Sequence, residues 1–462
     1  MPTRIDGPTG HAPTLGTGPR LREAQAVAEL FLDVFRRDAL GFFPDATLYP
    51  EGDRRDPAAG PDFRVVRGEG SSLRVRLFGA TYRLQRDGGA PFNDRDCRLI
   101  RAVGDVLGLR YHHLFEVSTS ARLELFRGGS EDHYVAAYIE PTAYQSPALG
   151  PSRIARTILT LRTAALSTYE NRRVSTGALL MGPGDRSGPT SADALPYGVE
   201  LTGLKSLHRL CDGRRTLFRV DAEGRLAGIV DISRWADGVD GPTVPCADAY
   251  RDHARATAGG GHVALLLSPN QEIKIFAEGA QAFAFAHGRW RVVDPSTKFA
   301  GWVAAVGDEP LAASLFVAAL NLAEARQGAL FVVVDEPSTA FGRLIAPADR
   351  LDSQGIEATH REPLAKRALH YLARGRSVAD LDPPVLEALA SLDGATAVDR
   401  DGRLLAFGAI LRHTLDDLPA ADAAEGARTT AALVASRFGP VLKVSEDGIV
   451  SCFLGGARAW DL

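Results

Sequence analysis

The sequence predicts an α/β (α+β) protein: an α+β region at the N-terminus, then an α/β domain that occurs twice. Three observations lead there. At 462 residues the chain exceeds one ordinary core, and its 45% hydrophobic and 24% charged content is that of a globular protein, so two or three domains are expected. Helical and strand-like hydrophobic periods alternate along its length. The second and third regions carry much the same elements in the same order.

Residues 1–20, rich in Gly, Pro and Thr, are expected to be disordered. The region 21–150 opens with a helix over 21–37, where Ala24, Val27, Ala28, Leu30, Phe31, Val34 and Phe35 make an apolar stripe. Residues 52–61 read as a polar, proline-bearing loop, and alternation over 73–84, 121–126 and 134–139 reads as strands. Between them, 94–107 reads as a helix with Asp94 as its N-cap. Nothing in this region reads as chemistry, and it is assigned a sensing role.

A proline-marked break at 145–151 opens the second region, 151–290. A helix over 154–172 leads to a strand at 177–181, a loop over 183–196 and a helix ending at Cys211. Strands follow at 216–220, 226–232, 263–267 and 273–276, the first two joined by a turn at 221–224. The third region, 305–462, starts with a helix at 310–326, a strand at 329–334 and helices at 362–375 and 384–392. It continues with strands at 395–398 and 404–410 around a turn at 399–402, a helix at 431–438, and strands at 441–444 and 449–454.

Sequence matches accompany the shared order. Gly177-Ala178-Leu179 matches Gly328-Ala329-Leu330. Asp212-Gly213, Val220-Asp221 and Gly224-Arg225-Leu226 match Asp393-Gly394, Val398-Asp399 and Gly402-Arg403-Leu404. The stretches 268–276 and 445–453 both run from Ser to Phe, and Gly279-Ala280 then matches Gly456-Ala457. Glycine turns recur in any hairpin; the ordered set is what predicts a duplication. The copies differ where chemistry would sit. Ser268-Pro269-Asn270-Gln271 stands against Ser445-Glu446-Asp447-Gly448, and Arg214-Arg215 against Ala395-Thr396. The second copy is therefore the candidate for activity, and the first a degenerate one.

Bulk properties exclude several classes of function. A net charge of −4 offers no basic field to recruit nucleic acid or an anionic membrane. No stretch reaches the roughly 18 apolar residues of a membrane helix, and no signal peptide is expected. Cys97, Cys211, Cys246 and Cys452 make no CxxC pair, so neither a structural zinc nor a disulfide framework is expected. A bacterial cytoplasm is the expected location.

Three clusters in the second copy carry the candidate chemistry. In Asp393-Gly394-Ala395 an acid precedes an apolar strand, where a carboxylate can hold a divalent ion or draw a proton from a sugar hydroxyl; alone, Asp-Gly is equally a plain turn. In Glu425-Gly426-Ala427-Arg428-Thr429-Thr430-Ala431, before a helix of small residues, Gly-Ala allows a ligand close to the backbone. Arg428 can grip phosphate there, and the two hydroxyls can donate to it; a threonine N-cap is the alternative. In Ser445-Glu446-Asp447-Gly448 the acids can serve a metal, while Asp447-Gly448 alone is a hairpin turn.

The order Gly-Ala-Leu, Asp-Gly-Ala, Gly-Ala-Arg, Val-Ser-Glu resembles the diadenylate cyclase (DAC) family of DNA-integrity-scanning proteins, over about 311–453. The family's Asp-Gly-Ala and Ser-Glu stand here as Asp393-Gly394-Ala395 and Ser445-Glu446; its Arg-His-Arg is replaced by Arg428-Thr429-Thr430. The resemblance implies a mixed central sheet flanked by helices, and ATP as substrate. It implies two domains placed face to face in a homo-oligomer, with Mg²⁺ or Mn²⁺ assisting, that make the second messenger cyclic di-AMP and pyrophosphate. By position Asp393 would act on the 3′-hydroxyl and bind metal with Glu446. Arg428, Thr429 and Thr430 would hold phosphates, while Gly328, Leu330, Gly394, Ala395, Gly426, Ala427 and Ser445 would shape the nucleotide pocket. The lost His and Arg remove a permanent cation, which Arg412, His413 or Lys443 could replace. An inactive sensor of nucleotide or cyclic dinucleotide with the same fold, and a cyclase with another product, are the other readings.

Overall fold

The computed structural model describes residues 19–52, 63–67, 71–77, 79–86, 91–115, 126–145, 152–183, 193–204, 206–351, 366–413 and 426–462. The chain forms two units: Met1–Thr168 with Pro196–Lys205 and Phe285–Arg291, and Tyr169–Leu195 with Ser206–Ala284 and Val292–Leu462. Both are mixed α and β, with sheets flanked by helices. No helix among the described residues is long and apolar enough to cross a membrane.

The first unit holds α1 (Pro19–Phe42), β1 (Ala46–Glu51), β2 (Arg64–Arg67), β3 (Ser72–Leu77), β4 (Ala80–Arg86), α2 (Asp94–Phe115), α3 (Ser130–Ile139) and α4 (Arg153–Ala165). Its antiparallel sheet runs β1-β4-β3-β2. Leu73, Val75 and Leu77 are buried while Arg74 and Arg76 are exposed, the period-two pattern of a sheet covered on one face. The stretch read as one strand over 73–84 is thus a hairpin, β3 and β4, broken at Gly79 with φ of 69°. The N-terminal cap of α2 is Asn93 rather than Asp94. The Asn93 side chain accepts from the Asp96 N–H at 2.9 Å and the Asp96 carboxylate from the Asn93 N–H at 2.9 Å, a reciprocal box.

Two further strand expectations change here. Residues 134–139 lie in helix α3, whose Asp132 to Tyr138 are all buried, because a short apolar run fits a buried helix as well as a strand. Of 121–126, residues 121–125 lie outside the described residues. The helix expected over 154–172 ends at Ala165, and 168–173 turns back on itself with Glu170 and Asn171 both at positive φ.

The second unit contains β5 (Thr176–Leu180), β6 (Thr216–Val220), β7 (Leu226–Asp231), α5 (Ile232–Asp237), α6 (Arg251–Ala256), β8 (Val263–Leu267), β9 (Ile273–Ala277), β10 (Ala280–Ala286) as far as Ala284, and α7 (Pro295–Val306). It continues with α8 (Glu309–Glu324), β11 (Ala329–Val334), α9 (Pro337–Arg343), α10 (Pro383–Ala390), β12 (Ala395–Asp399), β13 (Leu404–Ala409), α11 (Ala427–Ala435), β14 (Val441–Val444), β15 (Val450–Leu454) and β16 (Ala457–Asp461). In its first sheet the strands run β7-β6-β5-β8-β9-β10, and the second sheet runs β13-β12-β11-β14-β15-β16. The sheets agree strand for strand, including the single parallel pair in the middle, β5 with β6 and β11 with β12.

The turns agree in the same detail. The Gly224 N–H donates to the Asp221 carbonyl oxygen and the Asp221 N–H to that of Arg225, as Gly402 does to Asp399 and Asp399 to Arg403; the Ser268 hydroxyl accepts from the Glu272 N–H as the Ser445 hydroxyl does from Ile449. Two of the sequence matches are displaced, however. Gly177 pairs with Leu266 and Leu330 with Lys443, so Leu330, not Gly328, is the counterpart of Gly177. Asp212 belongs to a longer loop, where it accepts from the N–H groups of Arg214, Arg215 and Thr216, so Arg214-Arg215 has no counterpart in Ala395-Thr396.

The second sheet is covered on both faces. Ala329, Phe331 and Val333 of β11 pack with α8 and α10, and Leu330, Val332 and Val334 pack with α9 and α11. Burial on both sides is why 329–334 is apolar without alternation. A buried polar seam joins the first sheet's side of this unit to the end of α8. Lys274 lies 3.0 Å from Glu272 and 2.8 Å from Glu324, and the Tyr250 hydroxyl donates to Glu324 at 2.5 Å. Arg326 donates to both Glu272 and the Asp447 carbonyl oxygen.

Candidate functional site

The ends of β12, β13 and β14, the hairpin after β14 and the first turn of α11 enclose a cavity of about 610 Å³. Three separate sequence segments meet in it: Asp393-Gly394-Ala395, Gly426 to Thr429, and Ser445 to Asp447. Leu330 also lines it. Gly328 and Thr430 do not.

Each segment is placed by local physics. Gly394 sits at φ of 119°, and a Cβ there would lie 2.3 Å from the Gly408 carbonyl carbon. Only glycine lets Asp393 be carried this close to β13. Asp393 itself is exposed and makes no ion pair or hydrogen bond among the described residues. Gly328 acts indirectly, since a Cβ on it would strike the Arg428 guanidinium at 2.2 Å. It keeps open the space that Arg428 occupies.

The second cluster differs from its expected form. Helix α11 begins at Ala427, not at 431, so Arg428, Thr429 and Thr430 stand in its first turn. Gly426 is the N-cap, at φ of 90° and without a side-chain cap bond, and neither threonine serves as cap. Glu425, read with this cluster, lies outside the described residues. Arg428 reaches to within 3.8 Å of Glu446, an exposed pair worth little in water. Thr429 is 4% exposed and accepts a hydrogen bond from Lys443 Nζ at 3.0 Å.

Of the three basic residues considered as substitutes for the missing cation, His413 and Lys443 line the cavity. Arg412 does not. It donates to the carbonyl oxygens of Phe341, Gly342 and Ile345, closing the C-terminal end of α9. Ala431, the last residue of the second cluster, also lines the cavity; sequence reasoning missed the apolar wall of Ala409, Ile410 and Leu411 beside it. The apolar run through 410 was visible, but not that β13 lies antiparallel beside β12 and so ends at the cavity.

Among the described residues no three His, Cys, Asp or Glu side chains gather as a metal site. A divalent ion in phosphoryl transfer takes one or two protein carboxylates and completes its shell from phosphates and water. Asp393 and Glu446 in one cavity are a donor set of that kind.

The counterpart hairpin in the first copy is consumed by structure. Asn270 donates to the Glu324 carbonyl oxygen at 2.9 Å and Gln271 to that of Val174 at 3.0 Å. Gln271 takes φ of 63° where Gly448 takes 79°.

No protein-family model matches the chain, and no curated protein matches it. Among solved structures, a hypothetical membrane spanning protein from Bacillus cereus is similar at 22% identity, over 34% of this chain and 70% of that one, with a TM-score of 0.23. At that score the likeness carries neither fold nor function.

Proposed function

We propose that the second copy is a nucleotidyltransferase of the diadenylate cyclase type, joining two ATP molecules into cyclic di-AMP with release of pyrophosphate. The observation that carries this reading is the meeting of Asp393, Arg428, Thr429, Ser445 and Glu446, from three distant segments, in one cavity. Its apolar wall of Leu330, Ala409 and Leu411 suits an adenine ring. Asp393 takes the proton of a 3′-hydroxyl, whose oxygen bonds to the α-phosphorus of a second nucleotide. The bond from that phosphorus to the bridging oxygen breaks, and pyrophosphate leaves. Arg428 and the Thr429 region hold the phosphates in line. Asp393 and Glu446 would hold the Mg²⁺ or Mn²⁺, which would supply charge neutralisation.

Every described residue lining the cavity lies between Leu330 and Asp447, so none of the first copy's described residues contributes. The second nucleotide must then be presented by another chain, which makes the active form a homo-oligomer with facing second copies. In this reading the N-terminal unit carries regulation.

Incubating the full chain with ATP and Mn²⁺, followed by mass spectrometry, tests the proposal. Cyclic di-AMP and pyrophosphate are expected. ATP binding without any dinucleotide would support the second reading, an inactive nucleotide sensor, for which the absent His-Arg pair speaks. Mixed nucleoside triphosphates in the same assay identify a different product.

A further inference from the structure

We propose that Lys443, held by Thr429, is the cation that neutralises the phosphate chain of a ligand in this cavity. The proposal rests on the reading of the cavity as a nucleotide site and names the group that grips the phosphates. Four observations carry it.

The first is the strand. Lys443 sits on β14 between two neighbours, paired with Leu330 of β11 on one side and Ser451 of β15 on the other. Its backbone is fixed from both edges.

The second is the face. Alternation along β14 puts Leu442 and Val444 into the core with α8, and Val441 into the core with α11. Lys443 therefore shares the α11 face with Val441, an inward-facing position on an interior strand. Lysine is rarely found at such places because taking an ammonium from water is costly.

The third is the contrast between copies. Leu266 pairs with Gly177 as Lys443 pairs with Leu330, and each stands two residues before the hairpin serine. Where the hairpin is spent on structural bonds, the position is a fully buried leucine. Where the cavity exists, it is a lysine.

The fourth is charge. The cavity is lined by Asp393, Glu446 and Asp447, against Arg428 and Lys443 as permanent cations. Arg428 stands beside Glu446, and Lys443 donates to the hydroxyl of Thr429 at the foot of α11. A phosphate chain entering beside three carboxylates needs a cation at that depth, and Lys443 is placed to be it.

The experiment uses the full chain with Lys443→Met, which keeps the side chain's length and removes its charge. Inorganic tripolyphosphate is the probe, with affinity measured by calorimetry at low and moderate salt. Wild type is expected to bind it, Lys443→Met to bind at least tenfold more weakly, and Lys443→Arg to keep most of the affinity. A methionine variant within twofold of wild type overturns the proposal, as does a wild type that binds no tripolyphosphate. Should Lys443→Met fail to fold, Thr429→Val removes the anchoring hydroxyl and is expected to weaken binding several-fold; unchanged affinity there also overturns it. If wild type makes no dinucleotide from ATP yet the tripolyphosphate results hold, the phosphate role stands and the cyclase reading falls.

Discussion

At the scale of single residues, the three clusters could be read from sequence because each couples a small residue to a charged one. What the sequence hid is which groups each side chain meets. Arg428 owes its place to a glycine a hundred positions away, and Lys443 meets Thr429 only because β14 and α11 share a face. Buried histidine is another such case. His253 is fully buried between Tyr250 and Phe276, bonds the Gly213 carbonyl at 3.0 Å and leaves Nδ1 without a partner, and burial lowers its pKa to about 4. The unfolded chain takes up this proton near its ordinary value of about 6.5. The folded form resists protonation until about pH 4. Stability from this group is thus whole above pH 6.5, falls as pH drops, and is gone below about 4. His253→Gln, which keeps a donor but cannot titrate there, is expected to have a lower Tm than wild type at pH 7.5. By pH 4.5 that gap narrows by several degrees in calorimetry.

Elements were legible where periodicity was long or the apolar run was bracketed by turns. Strands β11, β12 and β14 fall within a residue of their expected bounds. Helix α3 was read as a strand because six apolar residues have no period to betray them, and α11 was started late because Arg428 and two threonines look like loop. The seam beneath the site hairpin was not legible at all, since it pairs Glu272 and Lys274 with Glu324 and Arg326. Removing one partner from a buried ionic network is more damaging than never having had it, at about 3–5 kcal/mol. Lys274→Met, leaving Glu272 and Glu324 facing each other, is expected to lower Tm by several degrees in a thermal scan. A Tm equal to wild type would show the seam to be solvated.

At the scale of the molecule, the repeated order of elements was legible as an ordered set of turns, and the two sheets agree in strand order. The register was two residues off at β11, because Gly-Ala-Leu recurs by chance where the backbone does not. Since the described residues that line the cavity come from one copy alone, the proposed reaction needs two chains. Mixing wild type with Asp393→Asn is expected to give activity that falls faster than the wild-type fraction; strict proportionality would count against paired sites. The seam has one more consequence, for how far the two sheets can be taken apart. A chain cut to the second sheet and its helices would leave Arg326 and Glu324 without Glu272 and Lys274, and Leu320 without one of the two cores it packs on. Side chains elsewhere in the first sheet can change one at a time, but the sheet as a whole cannot be removed without stripping those partners. It stands as a prop for what leans on it.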